Sequence, residues 1–209
     1  DVGISYCTVI PPVQYLYELL GEMSARAEIS LQSGHAENMQ QKANVPAQQQ
    51  ITGKLAMLHD IQWALQHAGI RLLAQKIRGV RGDDYYEILL RMVNVQGEQI
   101  NPQSFLPVVH EFGLTWDVDS MMLDQALAFI QRHSEQLPGI RLAVNLFAAT
   151  LCRPQFVEEI ALRLKVNGIE PWQLIIEVEE SPMLTDHSWG NRSIAQLRQL
   201  GCRVAIDDF

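Results

Sequence analysis

Asp207 and Asp208 close a short apolar run, Val204-Ala205-Ile206, so two adjacent carboxylates stand at the tip of what reads as a buried strand. Charges placed there are costly unless they bind cations or partners. The arrangement recurs upstream. Leu174-Ile175-Ile176 runs into Glu177, Leu142-Ala143-Val144 runs into Asn145, and Glu87 lies within the run Tyr85 to Met92. Glu, Asn, Glu and Asp contributed by separate strands form a hard, oxygen-only ligand set suited to Mg²⁺ or Mn²⁺. Asp208 adds donors for a second cation. Two such cations would clamp a phosphodiester, lower the pKa of a bridging water and steady the leaving oxygen. Arg91, on the same predicted strand as Glu87, has a guanidinium fork that can contact a phosphate or stack on a base. Any one of these acids is better explained as a cap or a surface ion pair. Their recurrence in successive strands is what argues for a metal site.

The remaining reactive residues are read more plainly. The histidines have neither HxxxH nor HExxH spacing, which excludes the usual zinc helix, and His110 reads as a solvated or packed helix residue. Asp117 and Asp186, near predicted helix starts, read as caps. Cys7, Cys152 and Cys202 are widely spaced with no CxxC pair, as expected of reduced thiols in a cytosolic fold. A formal charge of −8 argues against DNA or RNA as a partner, yet leaves room for a small phosphorylated ligand held through cations. No apolar run reaches transmembrane length, and none reads as a signal peptide.

The elements that must position these residues follow from periodicity. A strand-like run at Ile4 to Val9 precedes Pro11-Pro12, and Leu16, Leu19, Leu20, Met23 and Ala27 recur at helical spacing. Residues 36–50 are polar and read as a linker, and a helix is predicted from about Ile51 to Ala68. From Ile70 the pattern changes. Leu72 to Ile77 and Tyr85 to Met92 form a predicted antiparallel hairpin around Arg78 to Asp84. Helices at about Pro102 to Phe112 and Asp117 to Glu135 follow. Then come the strand Arg141 to Leu146, the helix Pro154 to Val166, the strand Leu174 to Val178, the helix Asn191 to Leu200 and the final strand. Apolar strands alternating with helices indicate parallel βα units buried on both faces. Polar groups late in several successive strands fit the top of a (β/α) barrel better than one switch point of an open sheet, and no glycine-rich phosphate loop is present.

The motifs then match a known family. Tyr86-Glu87-Ile88-Leu89-Leu90-Arg91 resembles the signature of EAL domains, the bacterial cyclic-di-GMP phosphodiesterases, with Ile88 in the alanine place. Phe105-Leu106-Pro107 and Glu111-Phe112-Gly113-Leu114 resemble the family's first barrel helix. Val144-Asn145-Leu146, Ile176-Glu177-Val178 and Ile206-Asp207-Asp208-Phe209 resemble three further motifs in the same order. The resemblance implies an α/β fold, a modified TIM barrel with one antiparallel strand, over residues 69–209. It implies Mg²⁺ or Mn²⁺, in a pair of ions, held by Glu87, Asn145, Glu177, Asp207 and Asp208, with Glu87, Asp207 and Asp208 catalytic. It implies Gln75, Leu89 and Arg91 near a bound cyclic-di-GMP, which would be opened to linear pGpG. A cytoplasmic site is expected, with a homodimer and attachment of a longer parent to the inner membrane left open.

Residues 1–35, through Val2-Gly3-Ile4-Ser5 and Ala25-Arg26-Ala27-Glu28, look like the end of a degenerate α+β GGDEF domain, joined by 36–68 to the EAL part. The usual basic, glycine-rich ending is replaced by Ser33-Gly34-His35-Ala36-Glu37-Asn38, and the cyclase signature is absent. Departures also fall in the EAL part. Lys76 stands in a proline place, Phe147 in a serine place and Glu179 in a threonine place. None removes an expected ligand. The family's later strands supply a lysine and another glutamate, so the chain is expected to be a C-terminally truncated fragment that cannot turn over substrate alone. The alternative is a catalytically degenerate pair of domains that binds cyclic-di-GMP as a sensor.

Overall fold

The apolar runs that sequence periodicity assigns to strands assemble into one mixed sheet. The computed structural model describes residues 45–78, 84–179 and 188–207. The expected strand at 4–9, the helix at 16–27, and Asp186, Asp208 and Phe209 lie outside the described residues. The chain divides into two units, 1–56 and 57–209. Of the first, residues 45–56 are described, and they are helical.

The helix α1 spans Val45–Gln66. It begins within the stretch expected to be linker, and the correction has a simple cause. Pro46 falls in the first helical turn, where its missing N–H has no intrahelical partner to lose, and Gln48-Gln49-Gln50 are good helix formers. Gly69 then lets the chain turn sharply into the sheet. A Cβ there would lie 2.7 Å from Ala64 Cα and 2.9 Å from the Val93 carbonyl oxygen.

Strands β1, Ile70–Ile77, and β2, Tyr85–Val93, pair antiparallel, as expected. Lys76 bridges to Asp84 at 3.1 Å near the turn. A two-residue strand β3, Gln99–Ile100, adds to the other end of β2. Helix α2, Pro102–Glu111, opens on Asn101, whose side chain accepts the Gln103 N–H at 3.0 Å. Helix α3, Thr115–His133, follows. Its N-cap position is Leu114, so Asp117 is a first-turn acid near the positive end of the helix dipole rather than a cap.

Strand β4 spans Leu142–Asn145, and helix α4, Ala148–Leu151, is a single turn that periodicity did not predict. The helix expected from Pro154 is α5, Phe156–Asn167, capped by Gly168 in the left-handed region at φ 63°. Strand β5, Leu174–Glu179, helix α6, Ser188–Leu200, and strand β6, Arg203–Asp207, complete the described chain.

The sheet order is β1-β2-β4-β5-β6, with β2, β4, β5 and β6 parallel. Alternation along each strand sorts the residues into two faces. Ile88, Leu142, Val144, Leu174, Ile176 and Val178 pack with α3 and α5 side chains such as Leu123, Leu127, Phe156 and Ile160 in one core. A second core joins Leu58 and Ile61 of α1 to Ile70, Met92, Phe105 and Val109. The opposite face of β4 and β5 is also buried at Ala143 and Ile175, matching the expectation of strands covered on both sides. Among the described residues no helix is long and apolar enough to cross a membrane.

Candidate metal and dinucleotide site

Strand register decides which polar residues share the second face. Glu87 of β2 is level with Gln75 on β1 and with Ala143 on β4. Asn145, two residues beyond Ala143, is level with Glu177 of β5, which is in turn level with Ala205 of β6. Steps of two keep a residue on one face, so Gln75, Glu87, Leu89, Arg91, Asn145 and Glu177 lie together. The small residues Ala143 and Ala205 flank the two glutamates. Position 207 is level with 179 in the same ladder. The side chain of Asp207 and all of Asp208 lie outside the described residues.

Distance supports this placement for one pair. Asn145 Nδ2 donates to Glu87 Oε1 at 3.3 Å, across two neighbouring strands whose register alone would leave them offset. That orientation turns Asn145 Oδ1, an acceptor, away from the bond. Glu177 is only 8% exposed, deep for a carboxylate. Its carbonyl oxygen accepts the Leu146 N–H at 2.9 Å, tying the end of β4 to β5. Arg91 Nη1 donates to the Leu90 carbonyl oxygen at 2.7 Å, which anchors the guanidinium at the strand end. Gln75 is exposed and Leu89 half-buried.

Among the described residues no group of three Asp, Glu, His or Cys side chains converges on one point. The described donors of the expected set are the carboxylates of Glu87 and Glu177 with the Asn145 amide on the strand between them. All are oxygen donors, a chemistry that fits Mg²⁺ or Mn²⁺ and disfavours zinc or copper.

The thiols take no part. Burial pushes the Cys202 thiol up to about 11 and raises that of Cys152, so both are poor nucleophiles at neutral pH. One buried acid escaped the sequence reading. Asp119 is 1% exposed on the inward side of α3. Burial pushes its carboxyl up to about 7, against the opposing influence of Thr150 and of the Phe147 N–H. A signal for it exists in the sequence. Val118, Met122, Leu123, Ala126, Leu127 and Ile130 form the apolar stripe of this helix, and Asp119 falls on that stripe at helical spacing.

Comparison with known proteins gives the arrangement a family. The EAL domain profile matches residues 58–209. The chain is 42% identical over its whole length to the cyclic di-GMP phosphodiesterase PdeF of Escherichia coli K12, covering 28% of that protein. It is 31% identical over 93% of its length to the probable cyclic di-GMP phosphodiesterase PdeA of the same organism, covering 26% of it. The chain therefore spans about a quarter of these relatives. The structure is similar to the Pseudomonas aeruginosa FimX EAL domain bound to c-di-GMP, with a TM-score of 0.65 and 28% identity, over 75% of this chain and 62% of that one. With 152 of its 209 residues matched by that profile, the chain belongs to the EAL domain family.

Proposed function

We propose that this chain carries the cation-binding part of a site that hydrolyses one phosphodiester of cyclic di-GMP to give linear pGpG. The observation that supports it most is the Asn145–Glu87 contact, with Glu177 beside Asn145 in register on the same sheet face. Relatives named cyclic di-GMP phosphodiesterases and an EAL domain with c-di-GMP bound supply the substrate class.

In this reading Glu87, Asn145 and Glu177, together with Asp207 and Asp208, would hold Mg²⁺ or Mn²⁺. A divalent cation there supplies an acidified water and screens the phosphodiester charge. The chain's own groups do the positioning. Asn145 fixes the Glu87 carboxylate through its amide. Arg91, fastened to the Leu90 carbonyl by one N–H, has others to offer a phosphate oxygen. Gln75 and Leu89, on the same face, line the approach to the dinucleotide. We infer further that the sheet is the opening part of a modified TIM barrel. We also infer that residues 1–35 end a degenerate GGDEF domain joined by 36–68, where the described part of the connection is helical.

The test is an assay of the full-length protein with cyclic di-GMP and Mn²⁺ or Mg²⁺, beside Glu87→Ala and an EDTA control. Wild type should yield pGpG only with the cation. Glu87→Ala should lose more than the roughly 10–100-fold typical of an outer-shell change. Absence of product with cyclic di-GMP binding retained would overturn the enzyme reading in favour of a sensor module.

A further inference from the structure

Asn145 is the last residue of β4, so whatever sets the chain's exit from the sheet also sets its side chain. Leu146 N–H still makes a ladder bond, to Glu177. Phe147 N–H does not. It donates to Asp119 Oδ2 at 3.0 Å, a carboxylate reaching in from α3, 28 residues earlier in the chain. The Phe147 carbonyl oxygen accepts the Thr150 N–H at 2.9 Å as α4 begins. The Phe147 backbone is therefore gripped on both sides, two residues beyond an amide that contacts Glu87.

The grip is made by an expensive group. Asp119 lies among Val118, Met122 and Leu123, where an apolar residue would pack without a desolvation penalty. Its second oxygen, Oδ1, is buried beside Thr150 Oγ1, and the two do not meet in a well-formed hydrogen bond. Packing alone thus does not explain the carboxyl. Its well-formed bond goes to the segment that leaves the candidate site.

We propose that Asp119 is a positioning residue for that site: by fixing the Phe147 N–H it sets the end of β4 and so aims Asn145 at Glu87 and the cation. This rests on the metal-site reading above.

Mn²⁺ titration of the full-length protein by calorimetry tests it, with folding checked by circular dichroism. Asp119→Ala should weaken Mn²⁺ binding about tenfold, within the range known for outer-shell partners. Asp119→Asn, which keeps an acceptor for the N–H, should stay within about threefold of wild type. Phe147→Pro deletes the donor at a residue whose φ of −64° already suits proline, and should match Asp119→Ala. The double variant should be no weaker than either single one, because both break the same bond. Ile160→Val, a one-methyl change in the buried face of α5 that leaves the Asp119–Phe147 bond in place, should leave Mn²⁺ affinity unchanged.

Wild type that binds no Mn²⁺ would sink the metal-site reading itself. Wild type that binds, with folded Asp119→Ala equally tight, overturns the positioning role alone. So does Asp119→Asn falling as far as Asp119→Ala, or Ile160→Val falling with them. If Asp119→Ala does not fold, Phe147→Pro decides, since it removes the N–H while leaving Asp119 in place.

Discussion

Asp119 joins two observations that a residue-by-residue reading of the sequence would keep apart, a helix stripe and a loop after a strand. Its carboxyl has a folded pKa of about 7 against an ordinary value of 3.8, with burial as the main cause. The folded chain therefore binds this proton more tightly than the unfolded one. Stability should fall as pH rises from about 4 to about 7 and level off beyond, where the group is charged in both states. The full swing is of order 4 kcal/mol. Asp119→Asn should flatten the urea midpoint against pH over that window, whereas wild type should slope downward. An equal slope in both proteins would show that another group is responsible. The candidate ligands Glu87, Asn145 and Glu177 stand out by residue type and place, because each ends or interrupts an apolar run. Asp119 was passed over because it is one of three aspartates on α3, which together look like a solvated face until the packing around them is known.

The elements were easiest to read where their period had room to repeat. Helix α3 has five turns of apolar stripe, and its expected start and end lie within two residues of those found. Helix α4 is four residues long, less than the span over which a 3.6-residue period can be recognised. The start of α1 was missed for another reason: proline and a polar run suggested a linker, yet proline suits the first turn of a helix. Two substitutions probe these junctions. Asn101→Ala removes the acceptor for the Gln103 N–H and should cost about 1 kcal/mol in urea unfolding. Gly69→Ala should cost about 1–3 kcal/mol, because the added methyl meets backbone atoms of α1 and β2 that cannot rotate away. A neutral result for Gly69→Ala would mean that the turn relaxes freely.

The molecule as a whole separates stability from chemistry by sheet face. One face carries Ile88, Val144 and Ile176 into the helix layer, and the other carries the candidate ligands and Arg91. Phe156, fully buried in the helix layer, should cost about 3–5 kcal/mol on truncation to alanine in urea unfolding. The same change should leave Mn²⁺ affinity of the folded protein near wild type, since Phe156 lies on the helix side of the sheet. Loss of Mn²⁺ binding at full folding would show that the two faces are coupled. At the β1 end of the described sheet, Arg71, Gln75 and Lys76 are exposed.

Apolar runs, their lengths and the polar residues within them are local properties of the chain, so the sequence by itself determined the α/β class, the antiparallel first pair and the oxygen character of the candidate ligands. Register is not local. Asn145 stands level with Glu177, and reaches Glu87, only because three strands from distant parts of the chain align with a definite offset. A shift of one residue would send each of them to the helix face. Burial is likewise a property of the assembled protein. Only packing of α3 against the exit of β4 turns Asp119 from one acid among many into a buried carboxyl bonded to the Phe147 backbone.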